Sequence, residues 1–138
     1  MSTYRAAGPA PALVVTFSGR IFGLDPSTGR TLWEHEVDSA GNPTTLILTP
    51  DTIFAATFQN LVCLRYPTGE ILWNVRTKVI GRATAVLEGG LLFIGKSGEI
   101  ECFSLTGQSL WHEKFKGRGA GEVSLGVPGN VAQADERS

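Results

Sequence analysis

Three observations predict an all-β chain of repeated four-stranded blades across these 138 residues. Thr28-Gly29-x-x-Leu32-Trp33 returns as Thr68-Gly69-x-x-Leu72-Trp73 and as Thr106-Gly107-x-x-Leu110-Trp111, with the tryptophans 40 and then 38 residues apart. Gly41, Gly81 and Gly121 keep a strict period of 40 and each precedes Thr44, Thr84 or Ser124 by three residues. No window carries sustained helical periodicity, whereas short apolar runs bounded by turn residues recur throughout. A period of about 40 residues with strand content signals a β-propeller or a related array.

Each repeat divides into segments A to D. The B segments are Leu13–Phe17, Ile53–Phe58 and Leu91–Gly95, and the C segments contain Ile21–Leu24, Leu61–Leu64 and Ile100–Phe103. The D segments carry the tryptophans (Thr31–Val37, Ile71–Arg76, Ser109–Phe115), and the A segments follow the periodic glycines (Thr44–Leu48, Ala83–Leu87, Val123–Val127). Tight turns join A to B, and Glu88-Gly89-Gly90 is a strong hairpin signal. Gly29, Gly69 and Gly107 suit the positive φ of a C-to-D turn. The preceding Thr28, Thr68 and Thr106 can hydrogen-bond locally across it. Trp33, Trp73 and Trp111 then reach over the turn or into the gap between sheets, where each ring is buried and its N–H meets a turn carbonyl.

The organisation expected is a poorly patterned segment 1–10, a three-repeat domain 11–130 and a polar tail 131–138. The segment order B-C-D, A-B-C-D, A-B-C-D, A makes twelve strands, with the cut inside a blade. Tyr4 to Gly8 falls in the first A slot but is a poor strand, and segment 121–127 has no B partner after it. Closed propellers have about four to eight blades. Two chains about a two-fold axis would make six, the C-terminal strand 121–127 of each completing the N-terminal blade edge of the other. A homodimeric ring is therefore the expected assembly.

Composition narrows the function classes. Hydrophobic content of 42% with 18% charged residues fits a packed globular core, and 17 glycines fit many tight turns. A net charge of −1 gives no global attraction to nucleic acid or anionic membranes. No apolar run reaches the roughly 18 residues of a membrane span. The N-terminus lacks the pattern of a secretory signal, which makes a cytoplasmic location the expectation. Cys63 and Cys102 occupy one repeat position, where Gly23 stands in the first copy, and read as small buried hydrophobes. His35 and His112 lie on D segments and read as surface residues.

The pattern Leu-x-x-x-x-Thr-Gly-x-x-Leu-Trp resembles the repeats of pyrroloquinoline-quinone-type β-propellers over residues 11 to 130. The resemblance implies that the tryptophans dock consecutive blades. That superfamily includes quinone dehydrogenases and outer-membrane assembly scaffolds. The dehydrogenases hold their cofactor between a Trp and a disulfide of adjacent cysteines, with calcium ligands nearby. Here the cysteines are 39 residues apart, and no acidic cluster suggests calcium. No phosphate loop, metal motif or nucleophile elbow is present either, so no catalytic residue, cofactor or metal is expected.

In a propeller the D-to-A and B-to-C loops ring one face and the A-to-B and C-to-D turns the other. The first face receives Arg20, Lys78, Arg82, Lys96, Lys116 and Arg118, opposed by Glu99 and Glu122. The second receives Asp25, Asp51, Glu70 and Glu88, opposed by Arg30. Arg20, Asn42, Asn60, Arg82, Lys96, Arg118 and Glu122 form the candidate binding rim, with Asn42, Arg82 and Glu122 at one repeat position. The expected function is a non-catalytic scaffold binding another protein through its loop faces. A lectin-like ligand binder is the alternative, a degenerate quinoprotein-type enzyme subunit is a distant one, and stacking of rings, basic face on acidic, is a further idea.

Overall fold

The computed structural model of the chain describes residues 10–134. All regular structure there is β. The first sheet contains β1 (Leu13–Phe17), β2 (Arg20–Leu24) and β3 (Thr31–Glu36) in that order. The second contains β4 (Thr45–Leu48), β5 (Thr52–Ala56), β6 (Asn60–Arg65) and β7 (Ile71–Arg76), and the third β8 (Ala83–Glu88), β9 (Leu91–Lys96), β10 (Glu99–Ser104) and β11 (Ser109–Glu113). Neighbours within each sheet are sequential and antiparallel, as in the blades of a propeller. The Tyr4–Gly8 expectation lies outside the described residues.

The described residues form thirteen strands, where the sequence leads one to expect twelve. β12 (Leu125–Val127) turns at Pro128-Gly129 and pairs with β13 (Asn130–Ala132), so the last A segment does have a partner. Gly129 takes φ +80° in that turn, and Asn130 ties the hairpin to the third sheet by donating from Nδ2 to Leu87 O at 2.8 Å. The pattern around Val131 was too short and too polar to stand out as a strand, and the expected tail 131–138 therefore begins inside one.

Burial explains why the B and C strands read as near-continuous apolar runs. The second sheet is covered on both faces, so strand alternation separates two cores rather than core and solvent. Ile53, Ala55, Val62 and Leu64 meet Ile21 and Trp33 of the first sheet. Phe54, Leu61 and Cys63 meet Leu92, Ile94 and Phe103 of the third. The D strands alternate half-buried with exposed residues, because only one of their faces meets a neighbour.

Each C–D pair carries a β-bulge at the same place. Gly23 pairs with Trp33 and Leu24 with Thr31, which leaves Leu32 as the extra residue. The same shift leaves Leu72 and Leu110 unpaired in the second and third sheets. A bulge bends its strand and re-aims the neighbouring side chain. The leucine of the repeated motif is thus the bulge residue, half-exposed at 48%, 40% and 45% in the three copies. Its repetition marks a backbone feature rather than a core position.

Candidate functional site

The joints between sheets are built from the motif residues. Trp33 crosses to the C-to-D turn of the second sheet and donates from Nε1 to Pro67 O at 2.8 Å. Its ring covers Gly69, where a Cβ would lie 2.2 Å from the indole. It also covers Gly23, its cross-strand partner, where a Cβ would be equally close. Trp73 covers Gly107 of the third sheet in the same way, at 2.9 Å. Gly29, Gly69 and Gly107 all have the positive φ the turn requires, +77°, +78° and +89°. Thr28 Oγ1 accepts from Arg30 N at 3.1 Å, the local bond expected of this pair.

The third copy differs from the other two. Trp111 is 47% exposed, touches Phe93 at a ring-centroid distance of 6.1 Å and has no following C-to-D turn among the described residues. The expectation that all three tryptophans reach a turn carbonyl holds for Trp33 and is corrected for the other two: Trp73 covers its turn glycine without such a bond, and Trp111 has neither. Conversely, nothing lies within 4 Å of the place a Cβ would take on Gly29.

Cys63 and Cys102 sit across from Trp73 and Trp111, as Gly23 sits across from Trp33. The position stays small because an indole lies over it. Both thiols are buried and free, and burial raises the pKa of each, that of Cys63 to about 11. Neither thiol should react with a disulfide reagent at pH 8 in the folded chain, and both should react once urea unfolds it. Release of thiolate without denaturant would contradict this burial. The pair also fails to fit a quinone pocket, because the two cysteines lie in separate sheets. No three His, Cys, Asp or Glu side chains converge as metal ligands among the described residues.

Lys96 departs most from expectation. The sequence puts it on the basic rim, yet it is fully buried between the second and third sheets. Leu92, Ile94 and Lys96 share one face of β9, and that face is covered by the second sheet. The Nζ donates to Thr77 Oγ1 at 2.8 Å and to Phe58 O at 3.2 Å. Burial lowers its pKa to about 8, against the pull of Asp38 and Glu101, which act to raise it. Asp38 accepts from Thr57 Oγ1 at 2.5 Å and from Gln59 N at 2.7 Å. Buried Glu101 accepts from Lys78 N at 2.9 Å and Ser109 Oγ at 2.7 Å. This network runs from the loop after β3 to β11 and ties all three sheets together with hydrogen bonds.

The histidines are also more engaged than expected. His35 Nε2 lies 2.6 Å from Gly69 O of the next sheet, and since a carbonyl only accepts, that nitrogen donates. His112 Nε2 lies 2.6 Å from Glu99 Oε1 and is largely buried. Both hold structure rather than face solvent.

The remaining rim residues do not form one ring. Arg20 pairs with Glu34 and Glu36 at 3.1 and 3.2 Å on the outer strand of its own sheet. Asn60 donates to Asn74 Oδ1 at 2.7 Å. Asn42 donates to Ala40 O at 3.2 Å within its loop. Arg82 and Glu122 do come together, at 3.8 Å, and Glu122 lines a shallow cleft of about 300 Å³ with Phe115 and Arg118. Phe115, absent from the candidate set, is 45% exposed and holds φ +49°. A bulky residue in that region is a backbone outlier. No sequence pattern marked it, since Phe115 reads as the end of a D segment.

Comparison with known proteins agrees with this architecture. A sequence profile for the PQQ-repeat family described as "Outer membrane protein assembly factor BamB" matches residues 3–113. The crystal structure of BamB from Moraxella catarrhalis superposes with a TM-score of 0.59 at 21% identity, covering 88% of this chain and 39% of that one. The chain therefore spans about two-fifths of the length of that protein. Hsv2 of Kluyvelomyces marxianus matches at a TM-score of 0.48 and 16% identity, over 68% of this chain and 31% of that one. Curated protein sequences give no match. No helix among the described residues is long and apolar enough to cross a membrane. With repeats, blades and 111 matched positions in agreement, the chain belongs to the PQQ-repeat β-propeller family of the outer membrane protein assembly factor BamB.

Proposed function

We propose that the chain is a non-catalytic interaction module, a homo-oligomeric ring of blades that binds a protein partner through its loop face. The observation that carries this is the cluster of Phe115, Arg118 and Glu122 on one shallow cleft. Exposed aromatic and arginine side chains supply much of the energy of protein interfaces, and a bulky residue held at positive φ is a conformation that packing alone does not call for. The name of the matched family, an assembly factor, supports the same class. The shallowness of the cleft favours a protein surface over an enclosed small ligand.

Arg118→Glu and Phe115→Ala should each weaken capture of a protein partner by about tenfold or more while leaving the fold intact by circular dichroism. Unchanged capture by both variants, or selective glycan binding in its place, would move the assignment to the lectin-like alternative. The proposed location stays open to the envelope as well as the cytoplasm: the family description names an outer-membrane factor and lends the cytoplasmic expectation no support.

A further inference from the structure

Inside the chain one joint is made twice, Trp33 on Gly69 and Trp73 on Gly107. Two halves of the same joint are left over. Trp111 is a half-exposed ring without a turn beneath it, and Gly29 is a turn glycine with open space above it. We infer that Trp111 of one copy docks on the Thr28-Gly29 turn of a second copy, joining the third sheet of one chain to the first sheet of the other. This rests on the homo-oligomeric reading above and specifies the contact that makes it.

Four further features fit that occupant. Strand parity places Leu13 and Phe17 of β1 on the face that corresponds to Leu92 and Ile94 of β9, which the second sheet covers. Leu13 and Phe17 are 52% and 61% exposed, and Phe17 stacks on Phe22 at 5.2 Å. On the other side, Phe93, Ile100 and Trp111 line an apolar cleft of about 200 Å³ beside β12. Those residues occupy the repeat positions of Phe54, Leu61 and Trp73, which meet the third sheet inside the chain.

The strand edges match as well. β13 takes one edge of β12, and the other edge has no ladder partner among the described residues. The same is true of the outer edge of β1. Joining β12 to β1 of a second copy repeats the antiparallel A–B pairing of β4 with β5 and β8 with β9. Exposed edges of this kind are templates for pairing with another chain. Finally, the charges are complementary. The residue two past Trp33 is His35, which touches the carbonyl of Gly69. By the same geometry Glu113, two past Trp111, arrives at Gly29 beside Arg30 of the second copy. Opposite charges meeting at an interface fix its register and exclude wrong partners.

The test is solution mass across a dilution series for the full chain and four variants. Trp111→Ala should weaken association by about thirtyfold or more. Glu113→Arg and Arg30→Glu should each weaken it by about tenfold, and the double variant carrying both reversals should restore it. Near-ultraviolet circular dichroism at the lowest concentration checks that each variant is folded. If the wild type associates but none of these changes matters, the joint is wrong and the homo-oligomeric reading survives. A wild type that stays monomeric at every concentration overturns both.

Discussion

Gly69→Ala is expected to destabilise the chain by about 3–5 kcal/mol, more than any other single-methyl addition among its turn glycines. Two effects combine. The backbone there sits at φ +78°, which an alanine adopts with strain. The new methyl would also lie 2.2 Å from the Trp33 ring, which is held by its bond to Pro67 O and cannot retreat without opening the joint. Gly89→Ala is the matched control, since Gly89 has φ +59° in a turn with nothing within 4 Å. That change should cost about 1 kcal/mol from the backbone alone. Urea unfolding followed by tryptophan fluorescence measures both. Equal costs would mean that the indole contributes nothing at the joint.

Lys96→Ala should cost a similar amount, about 3–5 kcal/mol, because removing one member of a buried ion network leaves the others uncompensated. Its loss would take the donor from Thr77 Oγ1, leave Phe58 O with Gly81 N alone, and remove the buried cation near Asp38 and Glu101, of which Glu101 keeps Lys78 Nζ at 3.6 Å. A distinct pH signature follows. The folded Lys96 has a pKa of about 8 against an ordinary value of 10.5, so between those values the unfolded chain holds more protons. Stability from this group is therefore lowest below pH 8 and grows as pH rises towards 10.5. Cys63 acts in the opposite sense: its thiol stays protonated to about 11 when folded but ionises near 9.0 when unfolded, so stability falls above pH 9. From pH 8 to 9 the lysine adds about 1 kcal/mol, while the thiols of Cys63 and Cys102 begin to act against it. Lys96→Met, which keeps the length of the side chain and removes the charge, should lack the lysine's rise and keep the thiols' fall, so the stability difference between the two proteins should grow by about 1 kcal/mol over that interval. Parallel profiles for the two proteins would show that Lys96 does not titrate in the folded state.

Most of the architecture was legible in the sequence because one physical contact is repeated. A ring that must lie flat on a turn demands glycine in the turn, and a ring that crosses its own sheet demands a small residue beneath it. Those two demands fix Thr-Gly, Trp and the Gly23, Cys63 and Cys102 position at constant spacing. What the sequence concealed has equally specific causes. Lys96 stands where Thr57 and Phe17 stand in the other copies, so residue type suggested a loop charge. Only strand parity, with Leu92 and Ile94 on the same face, shows that it points into the joint. Nothing in the sequence marks the motif leucines as bulge residues, yet a bulge turns them outward. The short β13 hairpin and the conformation of Phe115 leave no periodic trace, and the rim scattered because Arg20, Asn42 and Asn60 are each occupied by partners close by in the fold.

Among the described residues, Trp111 and the Thr28-Gly29 turn are the two unmatched halves of the internal joint. The chain's apolar sheet faces and unpaired edges would make it prone to aggregation if left open. Closure by a second copy about a two-fold axis would hide both while leaving the Phe115, Arg118 and Glu122 cleft on a loop face. In that arrangement folding and assembly are linked, and apparent stability rises with protein concentration.

Absolute solution mass by light scattering, on the full chain from high to low concentration, tests this most directly. A species of about twice 14.7 kDa that persists on dilution is the predicted result. A compact, stable monomer of 14.7 kDa at all concentrations would contradict it.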